Sequence, residues 1–131
     1  MYSPTTLDHL HRPRNAGDLE SAHGVAEVTN PACGDFLRLA VRVDAKGRVV
    51  EARFKAFGCG GAIAAASLAT EMVIGLSLAE CRRVAAKDVA EALGGLPRGK
   101  GHCADLAAEG IRAAAAAAAA AAESGGGGAR G

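Results

Sequence analysis

The order of the predicted elements places this chain of 131 residues in the α+β class. After one short helix, three strand-like segments follow one another, and helical patterns occupy the rest of the chain. The length is that of a single domain. We therefore expect a small antiparallel three-stranded sheet packed against helices, with a long C-terminal helix.

The first half of the chain carries the predicted strands. Ser3 followed by proline is typical of a helix start and predicts a short helix to about residue 11. Residues 24–31 predict a weak strand. Residues 36–43 and 48–57 alternate apolar and polar side chains, which indicates an antiparallel hairpin with one buried face. The residues expected on that face are Leu37, Leu39, Val41, Val43, Val50, Ala52, Phe54 and Ala56.

Helices account for the second half. A run of small residues predicts a helix at 62–74. Ser77 and Glu80 have the spacing of a capping box, which predicts the next helix at 78–86. A further short helix at 88–93 ends at two glycines.

The C-terminal helix is predicted to begin near Cys103 and to continue into ten consecutive alanines at 113–122. Alanine is the best helix former but buries little area, so we expect a frayed helical extension. The glycine-rich sequence that follows predicts a flexible tail. We therefore divide the chain into a folded domain at 1–112 and an extension with a tail at 113–131.

Composition argues against several classes of function. A formal charge of +1 gives no support to binding of nucleic acid or of an anionic membrane surface. No window is apolar enough to span a membrane, and the N-terminus lacks the apolar core of a signal peptide, so we expect a cytoplasmic protein. In that reducing compartment, four cysteines indicate metal binding or thiol chemistry rather than disulfides.

Three of the four cysteines, Cys33, Cys59 and Cys103, lie in glycine-rich segments. Glycine lets the backbone turn tightly and lets a bulky group approach closely. A helix start lowers the pKa of a thiol, so we expect Cys59 and Cys103 to be thiolates, the form that binds metal or attacks sulfur. The spacing is not that of a CxxC motif, and a cysteine can also be a small apolar core residue. We assign Cys81, on an apolar helical stripe, to the core.

Four segments resemble one known family. The segments NPACGD, FKAFGCGGAIAAASLATEMVIG and GLPRGKGHCADLAAEGI, with HRPRNAGDLESA near the start, resemble the U-type iron–sulfur cluster assembly scaffolds, IscU and the N-terminal domain of NifU. The resemblance implies that iron and sulfur from a cysteine desulfurase are assembled into a transient [2Fe–2S] cluster, which then passes to apo-proteins. It implies a desulfurase and apo iron–sulfur recipients as partners, with ferredoxin and frataxin-like proteins beside them.

The resemblance also implies a set of site residues. Its motifs place cluster and metal ligands at Cys33, Cys59 and Cys103, with Asp35 and His102 competing or assisting. Three thiolates with a carboxylate or an imidazole also suit zinc in the cluster-free form. Because Cys103 lies beside His102 at a helix start, it is the candidate acceptor of persulfide sulfur. The supporting residues are Lys100, Gly34, Gly58 and Gly60.

Three functions remain in competition. A zinc-dependent sulfurtransferase of the SufU type is the main alternative, but SufU-like chains carry an insertion before the last cysteine and lack the adjacent histidine. A structural zinc module ranks last, since a chain of this size need not depend on metal to fold. The family segment that a dedicated heat-shock chaperone recognises is changed at residues 96–100, which argues against that partner. We therefore expect a scaffold and not an enzyme.

Overall fold

The computed structural model describes residues 2–30 and 34–124, so Cys33 and most of the predicted tail lie outside the described residues. The predicted order of elements and the α+β class are confirmed. None of the helices in the two described ranges is long and apolar enough to cross a membrane. The elements are α1 Pro4–His11, β1 Gly24–Asn30, β2 Asp35–Val43, β3 Val49–Phe57, α2 Gly60–Val73, α3 Leu78–Cys81, α4 Ala86–Ala92 and α5 Gly101–Ser124.

The three strands form one antiparallel sheet in the order β1-β2-β3. As the alternation predicts, Leu37, Leu39 and Val41 of the central strand are buried on one face. Helices α2 and α5 pack against the sheet. The core therefore lies between one face of the sheet and these two helices, and both helices begin at the same end of the sheet.

One residue of the hairpin was assigned to the wrong face. Val50 is 42% exposed, whereas its neighbour Val49 is 1% exposed. The register explains the difference, because Arg42 pairs with Glu51 while Val43 pairs with Val49. Val50 is thus the extra residue of a β-bulge, which turns its side chain away from the core.

The helix predicted at 78–86 is shorter than expected, and the helix predicted at 88–93 begins earlier. Ser77 and Glu80 form the predicted capping box, but α3 ends after a single turn. A second cap then starts α4, because the carboxylate of Asp88 accepts a hydrogen bond from the Ala85 amide at 2.8 Å. This cap begins α4 at Ala86, two residues before the predicted start.

The alanine run is not the frayed extension that composition suggested. Helix α5 is continuous through it, and Ala114 and Ala118 are buried against β1. A Cβ built on Gly24 of β1 would overlap the Ala114 carbonyl oxygen and lie 2.6 Å from the Ala118 amide nitrogen. Small side chains on both sides therefore allow a backbone-to-backbone contact. The division of the chain at residue 112 stays a prediction.

A buried polar network attaches α1 to α2. His9 Nδ1 lies 2.7 Å from Ser67 Oγ, and its Nε2 lies 3.3 Å from a carboxylate oxygen of Glu71. The amide of Arg14 donates to the same Ser67 hydroxyl at 2.8 Å. Burial lowers the pKa of His9, as does the nearby charge of Arg14, while Glu71 opposes the shift. The network holds the N-terminal segment on α2, beside the end of the sheet where α2 and α5 begin.

Candidate metal centre

Four side chains with metal-binding atoms meet where the sheet ends and two helices begin. Asp35 is the first residue of β2, Cys59 is the N-cap of α2, and His102 and Cys103 lie in the first turn of α5. Their ligand atoms all lie within 4.8 Å of one another. The structure thus brings together four of the five residues proposed as ligands, and the fifth, Cys33, lies outside the described residues.

Asp35 is in contact with two members of the group. Its Oδ1 accepts a hydrogen bond from the Cys59 amide at 3.1 Å, and its Oδ2 lies 3.8 Å from the Cys59 sulfur. The same Oδ2 lies 3.2 Å from His102 Nε2. The carboxylate is 2% exposed, and a buried carboxylate is tolerated only when such partners are present. Asp35 therefore fixes the start of α2 and the imidazole at the start of α5.

The sulfur atoms of Cys59 and Cys103 lie close to each other. Cys59 Sγ is 3.6 Å from Cys103 Sγ, which is itself 3.6 Å from His102 Nε2. Cys59 is half-buried, whereas Cys103 is fully buried. A ligand that enters the group therefore reaches Cys59 before Cys103.

The expectation that the helix start makes Cys103 a thiolate is wrong for this arrangement. Burial raises the pKa of the Cys103 thiol to about 12, and the hydrogen bond with Cys59 acts in the same direction. The charge of Lys100 opposes both effects but is weaker. The pKa of Lys100 is itself raised, first by Cys59 and then by Tyr2. The ammonium group of Lys100 is thus close enough to Cys59 for their charges to interact.

The glycines around Cys59 make room for neighbouring side chains. Gly58 has φ +138°, and a Cβ there would overlap the carboxylate of Asp35. A Cβ on Gly60 would lie 3.1 Å from the side chain of Leu10. The sequence indicated space for a bulky ligand, but the structure fills these two places with its own residues.

Tyr2 is a site neighbour that the sequence did not indicate. A Cβ on Gly61 would lie 2.9 Å from the Cys103 sulfur and 3.1 Å from the Tyr2 hydroxyl, so these two groups share one small space. No motif marks a tyrosine so near the start of the chain, and only the packing of α1 on α2 brings it there. Cys81 is 2% exposed in the core, as predicted, and burial raises its pKa to about 11.

This donor set limits the chemistry. Thiolates select zinc, copper(I) or iron–sulfur clusters, while imidazole and carboxylate suit zinc and iron. Two sulfurs and one imidazole at two helix starts, with one carboxylate at a strand start, define a small α+β domain with a candidate metal centre that contains two thiols.

The chain belongs to the family described as the NifU-like N terminal domain, whose model matches residues 1–123. It is 46% identical over 114 residues to the iron-sulfur cluster assembly scaffold protein IscU 1 of Archaeoglobus fulgidus, covering 87% of this chain and 74% of that protein. It is 44% identical over 117 residues to the iron-sulfur cluster assembly enzyme IscU of Drosophila melanogaster, covering 87% and 75% of the two chains. The resemblance stated from the motifs is confirmed.

A solved structure shares the fold. It is a candidate iron-sulfur cluster assembly scaffold protein for the SUF system from Fervidobacterium islandicum, with a TM-score of 0.69. The match covers 87% of this chain and 96% of that chain at 23% identity. At that level of identity the likeness shows the fold alone.

Proposed function

We propose that this chain is a scaffold on which iron and desulfurase-derived sulfur are assembled into a transient [2Fe–2S] cluster for transfer to apo-proteins. The observation that carries the proposal is the meeting of two sulfurs, a carboxylate and an imidazole within 4.8 Å. The relatives named as IscU scaffolds, at 46% identity, support it.

The proposed ligands are three thiolates assisted by Asp35 and His102. Cys33 is two residues before Asp35 in the sequence, and two extended residues span at most about 7 Å. The family resemblance supplies this cysteine as the third thiolate of the proposal. In ferredoxins a stably held [2Fe–2S] cluster has four thiolate ligands. With three thiolates, one iron would depend on an oxygen or nitrogen ligand.

That weaker ligand suits a carrier. A carboxylate is a hard ligand, whereas the iron of a cluster selects soft thiolates, so the bond to Asp35 is the one most easily exchanged. A thiol of a recipient protein would replace it first. Release of the cluster in this way needs no catalytic turnover by the scaffold. The same donor set would hold zinc when no cluster is present.

The test is anaerobic reconstitution with ferrous iron, cysteine and a cysteine desulfurase, followed by visible absorption. We expect the absorption bands of a [2Fe–2S] cluster, and their transfer to an apo-ferredoxin. Cys59→Ser should prevent cluster formation, while Cys81→Ala, which changes a buried thiol outside the group, should not. Zinc-bound protein that takes up persulfide sulfur but never forms a cluster would instead support the sulfurtransferase alternative.

A further inference from the structure

Cys59 and Cys103 are a thiol pair as well as candidate ligands. Their sulfur atoms lie 3.6 Å apart, and a disulfide requires about 2.0 Å. One cysteine is the N-cap of α2 and the other lies in the first turn of α5, so each sulfur is at the start of a helix. A small movement of either side chain would join them.

The pair addresses a chemical requirement of the proposed function, on which this inference rests. Sulfur delivered as a persulfide is sulfane sulfur at oxidation level zero, whereas a cluster contains sulfide. Each sulfur atom therefore needs two electrons. We propose that Cys59 and Cys103 are a dithiol reductant that converts a persulfide on one of them into sulfide and becomes a disulfide.

The step balances with the residues present. With the extra sulfur on Cys103, the Cys59 sulfur attacks Cys103 Sγ, and a bond between the two Sγ atoms forms. The bond from Cys103 Sγ to the outer sulfur breaks, and that sulfur leaves with the electron pair as hydrosulfide. The outer sulfur gains two electrons and each cysteine sulfur loses one. The Cys59 proton passes to the carboxylate of Asp35, which lies 3.8 Å from the Cys59 sulfur. Sulfur carried on Cys59 would give the same products by the mirror-image attack.

The surroundings fit a persulfide on Cys103. A Cβ on Gly61 would lie 2.9 Å from the Cys103 sulfur and 3.1 Å from the Tyr2 hydroxyl, so this hydroxyl lies near Cys103, where it would donate a hydrogen bond to an outer sulfur. His102 Nε2 lies 3.6 Å from the same cysteine sulfur. Lys100 places a positive charge near Cys59. These groups would stabilise the anionic sulfur that attacks and the one that leaves.

A second round needs a reductant of the dithiol class. Thiol–disulfide exchange with such a dithiol would reopen the Cys59–Cys103 bond through a mixed disulfide. Because a [2Fe–2S] cluster contains two sulfides, one chain would pass through this cycle twice for each cluster. Without an external dithiol the reaction would stop after one sulfide.

The experiment measures sulfide release from metal-free, fully reduced protein under anaerobic conditions. The chain is loaded with inorganic polysulfide in one arm and with desulfurase and cysteine in the other, and excess reagent is removed. We expect about one sulfide per chain without added reductant, and a second only after dithiothreitol has reopened the disulfide and has been removed, and the chain has been loaded again. Peptide mapping after thiol blocking should find Cys59 joined to Cys103, and the intact chain should lose the mass of two hydrogen atoms.

Substitutions distinguish the pair from other thiols. Cys59→Ser should retain the extra sulfur as a stable persulfide, with sulfide release at least about tenfold lower, because the attacking thiol of the pair is missing. Cys81→Ala should release sulfide as the unsubstituted chain does. Undiminished release from Cys59→Ser, or a disulfide that includes Cys33, would overturn the inference. The mapping uses the unsubstituted chain, so the outcome does not depend on how a variant folds.

Failure of the inference and failure of the proposed function give different results. Ferrous iron with inorganic sulfide requires no reduction of sulfur and tests cluster assembly alone. A chain that builds a cluster from sulfide but releases none from persulfide keeps the scaffold function and overturns the dithiol inference. A chain that releases sulfide from persulfide but holds no cluster would keep the dithiol inference and overturn the proposed scaffold function.

Discussion

Substitution of Gly58 by alanine should displace the buried carboxylate of Asp35 from the candidate metal centre. The backbone at Gly58 has φ +138°, which strains any L side chain, and the added Cβ would overlap the carboxylate of Asp35. The backbone strain costs about 1–3 kcal/mol. Displacement of the carboxylate removes its hydrogen bond from the Cys59 amide, and a bond to a charged group contributes about 1.5–3 kcal/mol. We expect Gly58→Ala to lower the free energy of unfolding by about 2.5–6 kcal/mol in all.

A double-mutant cycle separates the two effects. In an Asp35→Ala background the carboxylate is absent, so Gly58→Ala should carry only the backbone strain of about 1–3 kcal/mol. The two substitutions should therefore couple by about 2 kcal/mol, measured by urea unfolding of the metal-free chain. Gly34→Ala is the control, since its φ is +72° and no atom lies within 4 Å of the added Cβ. Equal losses from Gly58→Ala in both backgrounds would refute the claim that this glycine makes room for Asp35.

Three further predictions follow from other contacts. Asp35→Ala should extend the lifetime of a reconstituted cluster, measured by decay of visible absorption, because His102 or a solvent ligand then takes the place of the easily exchanged carboxylate; faster loss would mean that Asp35 holds the cluster. Gly24→Ala should lower the free energy of unfolding by about 1–3 kcal/mol through overlap with the backbone of α5, whereas Gly101→Ala, with open space around it, should not. Because burial lowers the pKa of His9, the unfolding free energy should fall as the pH drops below about 6.5; His9→Gln should remove that part and exposed His11→Gln should keep it.

The Gly24 and His9 predictions would each be refuted by a different result. If Gly24→Ala unfolds at the same urea concentration as the unsubstituted chain, the close contact between β1 and α5 does not hold the helix. The folded chain releases the His9 proton more readily than the unfolded chain, so the stability from neutral His9 is complete above the unfolded pKa and is lost as the pH falls. A pH profile that His9→Gln leaves unchanged would assign the loss to other groups.

Local patterns were sufficient for the strands and for most helix starts. Alternation with period two identified the buried positions Leu37, Leu39 and Val41, because that period is a property of the strand itself. The position of Val50 could not be predicted, since a bulge depends on the register between two strands. The grouping of Asp35 with His102 came from resemblance, because no local rule relates residues so distant in sequence.

Other features depend on what lies opposite in space. A helix start favours a thiolate, but full burial of Cys103 reverses that tendency, and burial cannot be read from the neighbouring residues. The alanine run suggests a weakly packed helix, but Gly24 of β1 lies against it. The area buried between α5 and β1 depends on the residues of both elements, so the alanines alone do not predict it. The same reasoning applies to Gly58, whose missing side chain matters only because Asp35 folds back onto it.

The candidate metal centre exists only while the domain is folded, so binding at this group is coupled to folding. Asp35 lies 24 residues before Cys59, and Cys59 lies 44 residues before Cys103, so a disordered chain does not hold these atoms together. An ion or cluster that binds only the assembled group stabilises the folded state by mass action, by about 2.7 kcal/mol at a concentration one hundred times the dissociation constant. Conversely, separation of α5 from α2 would dismantle the group at once. A partner that moved the start of α2 or of α5 by a few ångströms would release a bound ion or cluster without contacting any of its ligand side chains.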